Sequence, residues 1–125
     1  MSTSITVLIK INLVPVPLAR PQVTKRGTFL PKRSQQFRLD FQALLRAAFH
    51  GTPLTEPLNV TLRFYKNVKT TARTYGDIDN LVKAVFDACN GILWLDDSQV
   101  VELHAYKHKG AGKIELEVSF SGNLF

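Results

Sequence analysis

Hydrophobic and polar positions change period several times along the chain, and each change marks an element. Residues 5–13 alternate: Ile5, Val7, Ile9, Ile11 and Leu13 share one face, while Thr6, Lys10 and Asn12 take the other. A period of two predicts a half-buried strand. Pro15, Pro17 and Pro21 then block regular pairing, so residues 15–33 are expected to form a loop rich in Pro, Lys and Arg, with a short strand near Thr28–Leu30. Phe37, Phe41, Leu44, Leu45 and Ala48 fall at helical spacing and predict a helix over 34–49, with Ser34 as N-cap and Gly51 and Pro53 beyond its end. Alternation returns over 58–65, where Leu58, Val60, Leu62 and Phe64 face inward. Residues 66–76 are polar and read as a flexible connection.

Leu81, Ala84, Val85 and Ala88 give a second helical face, predicting a helix over 80–90 with Asp79 as N-cap and Gly91 at the stop. Asn80, Lys83, Asp87 and Asn90 form its opposite stripe. Two more strands follow at 99–107 and 113–120, joined through Gly110-Ala111-Gly112 as an expected hairpin. The order β-α-β-α-β-β implies one α+β domain over residues 1–125, a mixed β-sheet flanked by two main helices.

Composition supports a core of this size. Of 125 residues, 45% are hydrophobic, and 21% charged is too few for a disordered chain. The lone Cys89 excludes an internal disulfide framework and a cysteine zinc site, and fits a reducing compartment. No apolar stretch is long enough for a bilayer, and Lys10 and Asn12 interrupt the first apolar run where a signal peptide would need continuity. The expected setting is soluble and cytoplasmic, with no membrane partner.

Charge changes the picture more. Up to residue 76 the chain carries twelve Lys and Arg against only Asp40 and Glu56, a balance of +10. Beyond it, four Lys face eight Asp and Glu, a balance of −4. The first part suits a polyanion, whose phosphates the cations would neutralise with release of counterions. The second part gathers carboxylates that need a separate explanation.

Asp77 and Asp79 are two apart, so their side chains point the same way if residue 77 ends an extended segment. Asp79 opens the helix, where free N–H groups favour negative charge. Lys83 lies one turn on and reaches the same region. Asp96-Asp97 sits in the turn before the strand that starts near Gln99. Two unpaired carboxylates about 4 Å apart repel by roughly 4 kcal/mol at an effective dielectric near 20, so such a group needs cations or a metal. Singly, these residues have ordinary explanations as a cap, a loop residue and a turn. Asp87 pairs with Lys83 or is solvated, and stands outside the metal set, although Lys before Asp is the less favourable helical order. Oxygen-only donors without Cys or His suit Mg²⁺ or Mn²⁺ better than Zn²⁺. His50, His104 and His108 lack metal-ligand spacing, and His104 and Tyr106 read as sheet-face residues.

From Gly76 to Val100 the sequence reads GDIDNLVKAVFDACNGILWLDDSQV. This resembles the signature of the RusA family of Holliday-junction resolvases: Asp-x-Asp-Asn, Lys three residues after the Asn, a following Asp, then Asp-Asp-x-Gln-Val. The Pro- and Arg-rich segment PVPLARPQVTKRGTFLP and the basic position Lys107 extend the likeness. Gln22 and Gly76 depart from it. The resemblance implies that Asp77, Asp79 and Asp97 bind metal, with Asp96 beside them, and that Lys83 is the essential lysine. It also implies junction cleavage by paired nicks leaving 5′-phosphate and 3′-hydroxyl ends.

Arg20, Lys25, Arg26, Lys32, Arg33 and Lys107 are the expected DNA contacts, which would hold backbone and not read bases. Phe29 is expected to be a buried anchor for the loop, with a wedge between bases as the other reading. A four-way junction has two-fold character, so a homodimer is expected. A nuclease for flaps and an inactive junction-binding protein remain open at this point.

Overall fold

A computed structural model describes residues 2–123 of the chain. Strand β1 (Ser2–Ile11) is followed by a small ribbon, β2 (Gln22–Thr24) and β3 (Gly27–Phe29). Helix α1 (Lys32–Ala48), strand β4 (Leu58–Lys66) and helix α2 (Ile78–Cys89) come next. A 3₁₀ turn (Asp97–Gln99) leads into β5 (Val100–Lys109), and β6 (Lys113–Asn123) completes the sheet. The architecture is α+β, as the order of periods implied.

The four long strands lie in the order β1-β6-β4-β5. β6 runs antiparallel to both β1 and β4, whereas β5 runs parallel to β4. The sheet is therefore mixed, and β4-α2-β5 is a crossover unit in which α2 carries the chain back from the end of one strand to the start of the next. One sheet face supplies Ile9, Ile11, Leu58, Val60, Leu62, Phe64, Ile114, Leu116 and Val118 to the core. The helices close over it with Phe37, Phe41 and Leu45 from α1 and Leu81, Val85 and Ala88 from α2. Burying each of the large side chains stabilises the fold by roughly 1.5–3 kcal/mol.

Four local expectations are corrected. β5 and β6 are not a hairpin: the Gly110–Gly112 turn steps over β4, and the Gly110 N–H donates to the last β4 carbonyl, Lys66, at 3.0 Å. Local turn chemistry signals a reversal but not which strand lies alongside. Ser34 does not cap α1. The helix begins two residues earlier, behind Pro31, and Ser34 is buried with its Oγ accepting from Ala19 N–H at 3.1 Å. The 66–76 connection is tied down, because Tyr75 is fully buried and its hydroxyl donates to the carbonyls of Phe64 and His108, both at 2.8 Å. Phe29 is no buried anchor: it is 46% exposed on the β2–β3 ribbon.

Candidate metal and DNA site

The start of α2 is set by residues on both sides of it. Gly76 adopts φ +100°, and a Cβ there would come within 2.7 Å of Pro17 Cγ, so glycine is required by conformation and by space. The Leu18 N–H donates to the Asn80 carbonyl at 2.9 Å and pins the proline-rich loop to the helix. Lys107 donates to the Gly76 carbonyl at 2.8 Å and lies 4.7 Å from the centre of the Tyr75 ring. The turn that presents Asp77 is thus held from three directions.

Asp77, not Asp79, occupies the N-cap position, with extended backbone and no side-chain capping bond. Asp79 lies in the first turn and accepts from the N–H of Asn80 at 3.0 Å. Neither carboxylate takes part in the ion pairs found among the described residues, which are Arg63–Glu117, His104–Glu102 and Lys113–Glu115. Both remain available to a ligand, in the favourable field of the helix start. They line an open, polar cleft of ≈ 620 Å³ together with Arg20, Arg73, Asn80 and Lys83.

Asp96 and Asp97 stand at the far end of α2. Asp96 caps the 3₁₀ turn: its Oδ2 accepts from Ser98 N–H at 3.0 Å, and Gln99 Oε1 accepts from Asp96 N–H at 2.9 Å. The bonds from Ser98 hold the Asp96 carboxyl below the usual carboxylate range. Gln99 also donates to the carbonyls of Leu54 and Glu56, fixing the turn to the chain entering β4. Asp97 Oδ2 accepts from Asn90 Nδ2 at 3.2 Å, and Asn90 Oδ1 accepts from the buried Trp94 indole N–H at 2.7 Å. Trp94 therefore fixes which way the Asn90 amide points, and Asn90 orients Asp97.

Among the described residues no three His, Cys, Asp or Glu side chains come close enough to share a metal ion. The expected gathering of Asp77, Asp79, Asp96 and Asp97 is not found among the described residues. The cause is the crossover: one pair stands at the start of α2 and the other lies beyond its end. The donors in the cleft still suit a hard dication. Mg²⁺ is commonly held by one or two carboxylates, with water and phosphate oxygens completing its shell.

Comparison with known proteins decides the family. The family model described as Endodeoxyribonuclease RusA matches residues 12–119. The chain belongs to the RusA family. Proteins named crossover junction endodeoxyribonuclease RusA from Shigella sonnei and Escherichia coli K12 are each 31% identical over 100 residues, covering 77% of this chain and 79% of theirs. A relative of the same name from Enterobacteria phage 82 is 30% identical over the same shares. Membership makes the chain a metal-dependent endodeoxyribonuclease.

Within this RusA-family fold the cations divide. Arg20 is exposed on the cleft wall. Lys25 and Arg26 form the two-residue tip between β2 and β3, where the Arg26 N–H donates to Thr24 Oγ1 at 3.2 Å. Lys32 and Arg33 are exposed in the first turn of α1. Lys107 differs: it is half-buried and engaged with Gly76, so its contact inside the protein sets the turn before Asp77. Sequence reading missed Arg73, Asn80 and Asn90 as site residues. Asn80 carried a signal in the Asp-x-Asp-Asn run, while Arg73 and Asn90 carried none. Asp87 makes no ion pair with Lys83. Its carboxyl is pushed up by desolvation beside α1 and by the Asp97 charge, against a smaller opposing effect of Arg38.

Asn90→Ala removes the donor to Asp97 without touching the carboxylate. Loss of an outer partner of a metal ligand typically costs 10- to 100-fold in metal affinity. Mn²⁺ titration followed by electron paramagnetic resonance should show at least a tenfold weaker site, and unchanged affinity would remove Asn90 from the site.

Proposed function

We propose that the protein resolves Holliday junctions, as a cytoplasmic homodimer that makes paired Mg²⁺-dependent nicks and leaves 5′-phosphate and 3′-hydroxyl ends. The observation that carries this reading is the polar cleft in which Asp77, Asp79 and Lys83 meet Arg20 and Arg73. The names of the curated relatives support the junction as substrate.

Asp77 and Asp79 would hold the ion at the start of α2, and Mn²⁺ would substitute; Asp97, which the family signature assigns as third ligand, stands beyond the other end of the helix. The ion, when bound, supplies Lewis acidity toward a phosphate oxygen and acidifies water. Lys83, four residues after Asp79 on the same helix, offsets charge that grows on the phosphate during in-line displacement. Arg20 and Arg73 hold the flanking backbone, while Lys25 and Arg26 at the ribbon tip and Lys32 and Arg33 on α1 extend the contact. Such contacts fix position and are read through salt dependence. Asp96 serves the site by fixing the turn that carries Asp97.

The test incubates the purified protein with a labelled four-way junction, a flap and a linear duplex, in Mg²⁺, Mn²⁺ or EDTA. Paired, ligatable nicks in the junction and none in EDTA are expected. Cleavage of the flap alone would replace the substrate, and no metal-dependent nicking of any branched DNA would refute the reading.

A further inference from the structure

Residues 19–29 are exposed without a break. Within them β2 and β3 pair with each other, as a sheet apart from the main one. The two-residue tip, Lys25-Arg26, is held by Thr24, whose hydroxyl donates to the Gly27 carbonyl and accepts from the Arg26 N–H, both at 3.2 Å. Gly27 takes φ +119°, a conformation that a side chain would strain. At the foot of the ribbon, Leu30 lines a small gap between the two helices with Val16, Leu18, Phe37 and Ala84, and its carbonyl accepts from Gln35 Nε2. The ribbon is thus ordered by its turn and its foot, while its surface stays open to solvent.

Two apolar side chains stand on that surface, Val23 at 81% exposure and Phe29 at 46%. Val23 pairs with Thr28 and Phe29 with Gln22, so the two project from opposite faces of the ribbon. Only Phe29 has a ring that can stack on a base. The charge around it has one sign: from Arg20 to Arg33 the chain carries Arg20, Lys25, Arg26, Lys32 and Arg33 and no Asp or Glu. Arg20, two residues before β2, also lines the cleft of Asp77, Asp79 and Lys83. An exposed apolar side chain among cations is the means by which proteins wedge open a base step while holding the phosphates beside it.

We propose that the β2–β3 ribbon reads the branch point of a DNA junction, with Phe29 stacked on a base that has lost a neighbour there and Lys25 and Arg26 on the flanking phosphates. The proposal rests on the junction reading given above. Backbone contacts by themselves favour any duplex, because they answer to its charge. Inside a duplex a wedge must first unstack a step, and that cost offsets what the ring gains. At a branch point the end of an arm is open or easily opened, so the same ring gains stacking at little cost. Phe29 therefore turns a general affinity for DNA into a preference for branches, and Arg20 links the ribbon to the cleft.

The test measures affinity in EDTA for a four-way junction and for linear duplexes of its arm sequences. Stacking of one base on an aromatic ring is worth roughly 5- to 100-fold in affinity. Phe29→Ala should lose junction affinity by a factor in that range and keep its duplex affinity, whereas Phe29→Tyr should keep both. 2-Aminopurine placed at the branch point should brighten on binding wild type or Phe29→Tyr and stay dim with Phe29→Ala. Lys25→Gln with Arg26→Gln should weaken both DNAs alike and lower the salt slope by up to about 2. An unchanged slope takes the tip off the DNA and overturns the proposal. A junction preference that survives in Phe29→Ala overturns it, as does an equal loss on both DNAs. Survival of that preference with a lower mass by light scattering would reassign the ring to a contact between copies. A preference that depends on Phe29, in a wild-type protein that nicks no branched DNA, would uphold the ribbon and discard junction cleavage. Normal nicking with a preference independent of Phe29 would do the reverse.

Discussion

Asp77→Asn should abolish nicking while leaving junction binding intact or tighter. The substitution is nearly isosteric, and Asn caps helices about as well as Asp, so α2 should keep its start. Asp77 makes no side-chain capping bond, which limits the structural loss further. What disappears is one oxygen charge in a cleft shared with Asp79. Loss of an outer partner costs 10- to 100-fold, so loss of a ligand should cost about 10³-fold or more in single-turnover rate. Binding moves the other way, because a carboxylate about 4 Å from a phosphate repels it by about 1 kcal/mol in water and about 4 kcal/mol at an effective dielectric of 20. Gel-shift affinity in EDTA and cleavage rate in Mg²⁺ separate the two effects. Normal cutting by this variant would remove Asp77 from the metal site.

The residues that carry this prediction were legible in the sequence because their signal is local. Asp77, Asp79 and Lys83 are fixed by spacing on one helix start, and the structure keeps them in one cleft. The periods of two and 3.6 likewise located each long strand and both main helices to within a few residues. Long-range pairing was not legible. Gly110-Ala111-Gly112 announces a reversal, yet β4 lies between the two strands that it joins, because Leu62 and Phe64 are completed by β6 on one side and β5 on the other. The same limit applies to where Asp97 stands relative to Asp77 and Asp79. Adjacency in the motif suggested adjacency in space, whereas a parallel crossover needs a helix that separates its two ends. Phe29 failed for a related reason: aromatic character predicts burial on average, but β2 and β3 form a ribbon separate from the main sheet, and Phe29 stays 46% exposed on it.

Trp94 is where the stability of the fold and the geometry of the site meet, and Trp94→Ala should be the most destabilising single change considered. The side chain is fully buried and meets Phe86 edge-on at 5.4 Å between ring centres. Removing a buried Trp costs about 3–5 kcal/mol, a large part of the 5–15 kcal/mol that holds an ordinary domain together. Thermal or urea unfolding should show a loss of that size, and less than 1 kcal/mol would contradict the packing described. Trp94→Phe tests the polar half of the residue. It keeps most of the apolar contact but removes the indole N–H that holds Asn90 Oδ1 at 2.7 Å. Leaving that acceptor without its donor costs about 1–3 kcal/mol, and Asn90 is then free to turn its amide. Asp97 loses its oriented donor as a consequence, so Trp94→Phe should weaken Mn²⁺ binding as Asn90→Ala does while unfolding well above Trp94→Ala. Because both substitutions act on Asp97 through Asn90, the double variant Trp94→Phe with Asn90→Ala should bind Mn²⁺ no more weakly than Asn90→Ala alone. Additive losses would mean that Trp94 reaches the site by another route.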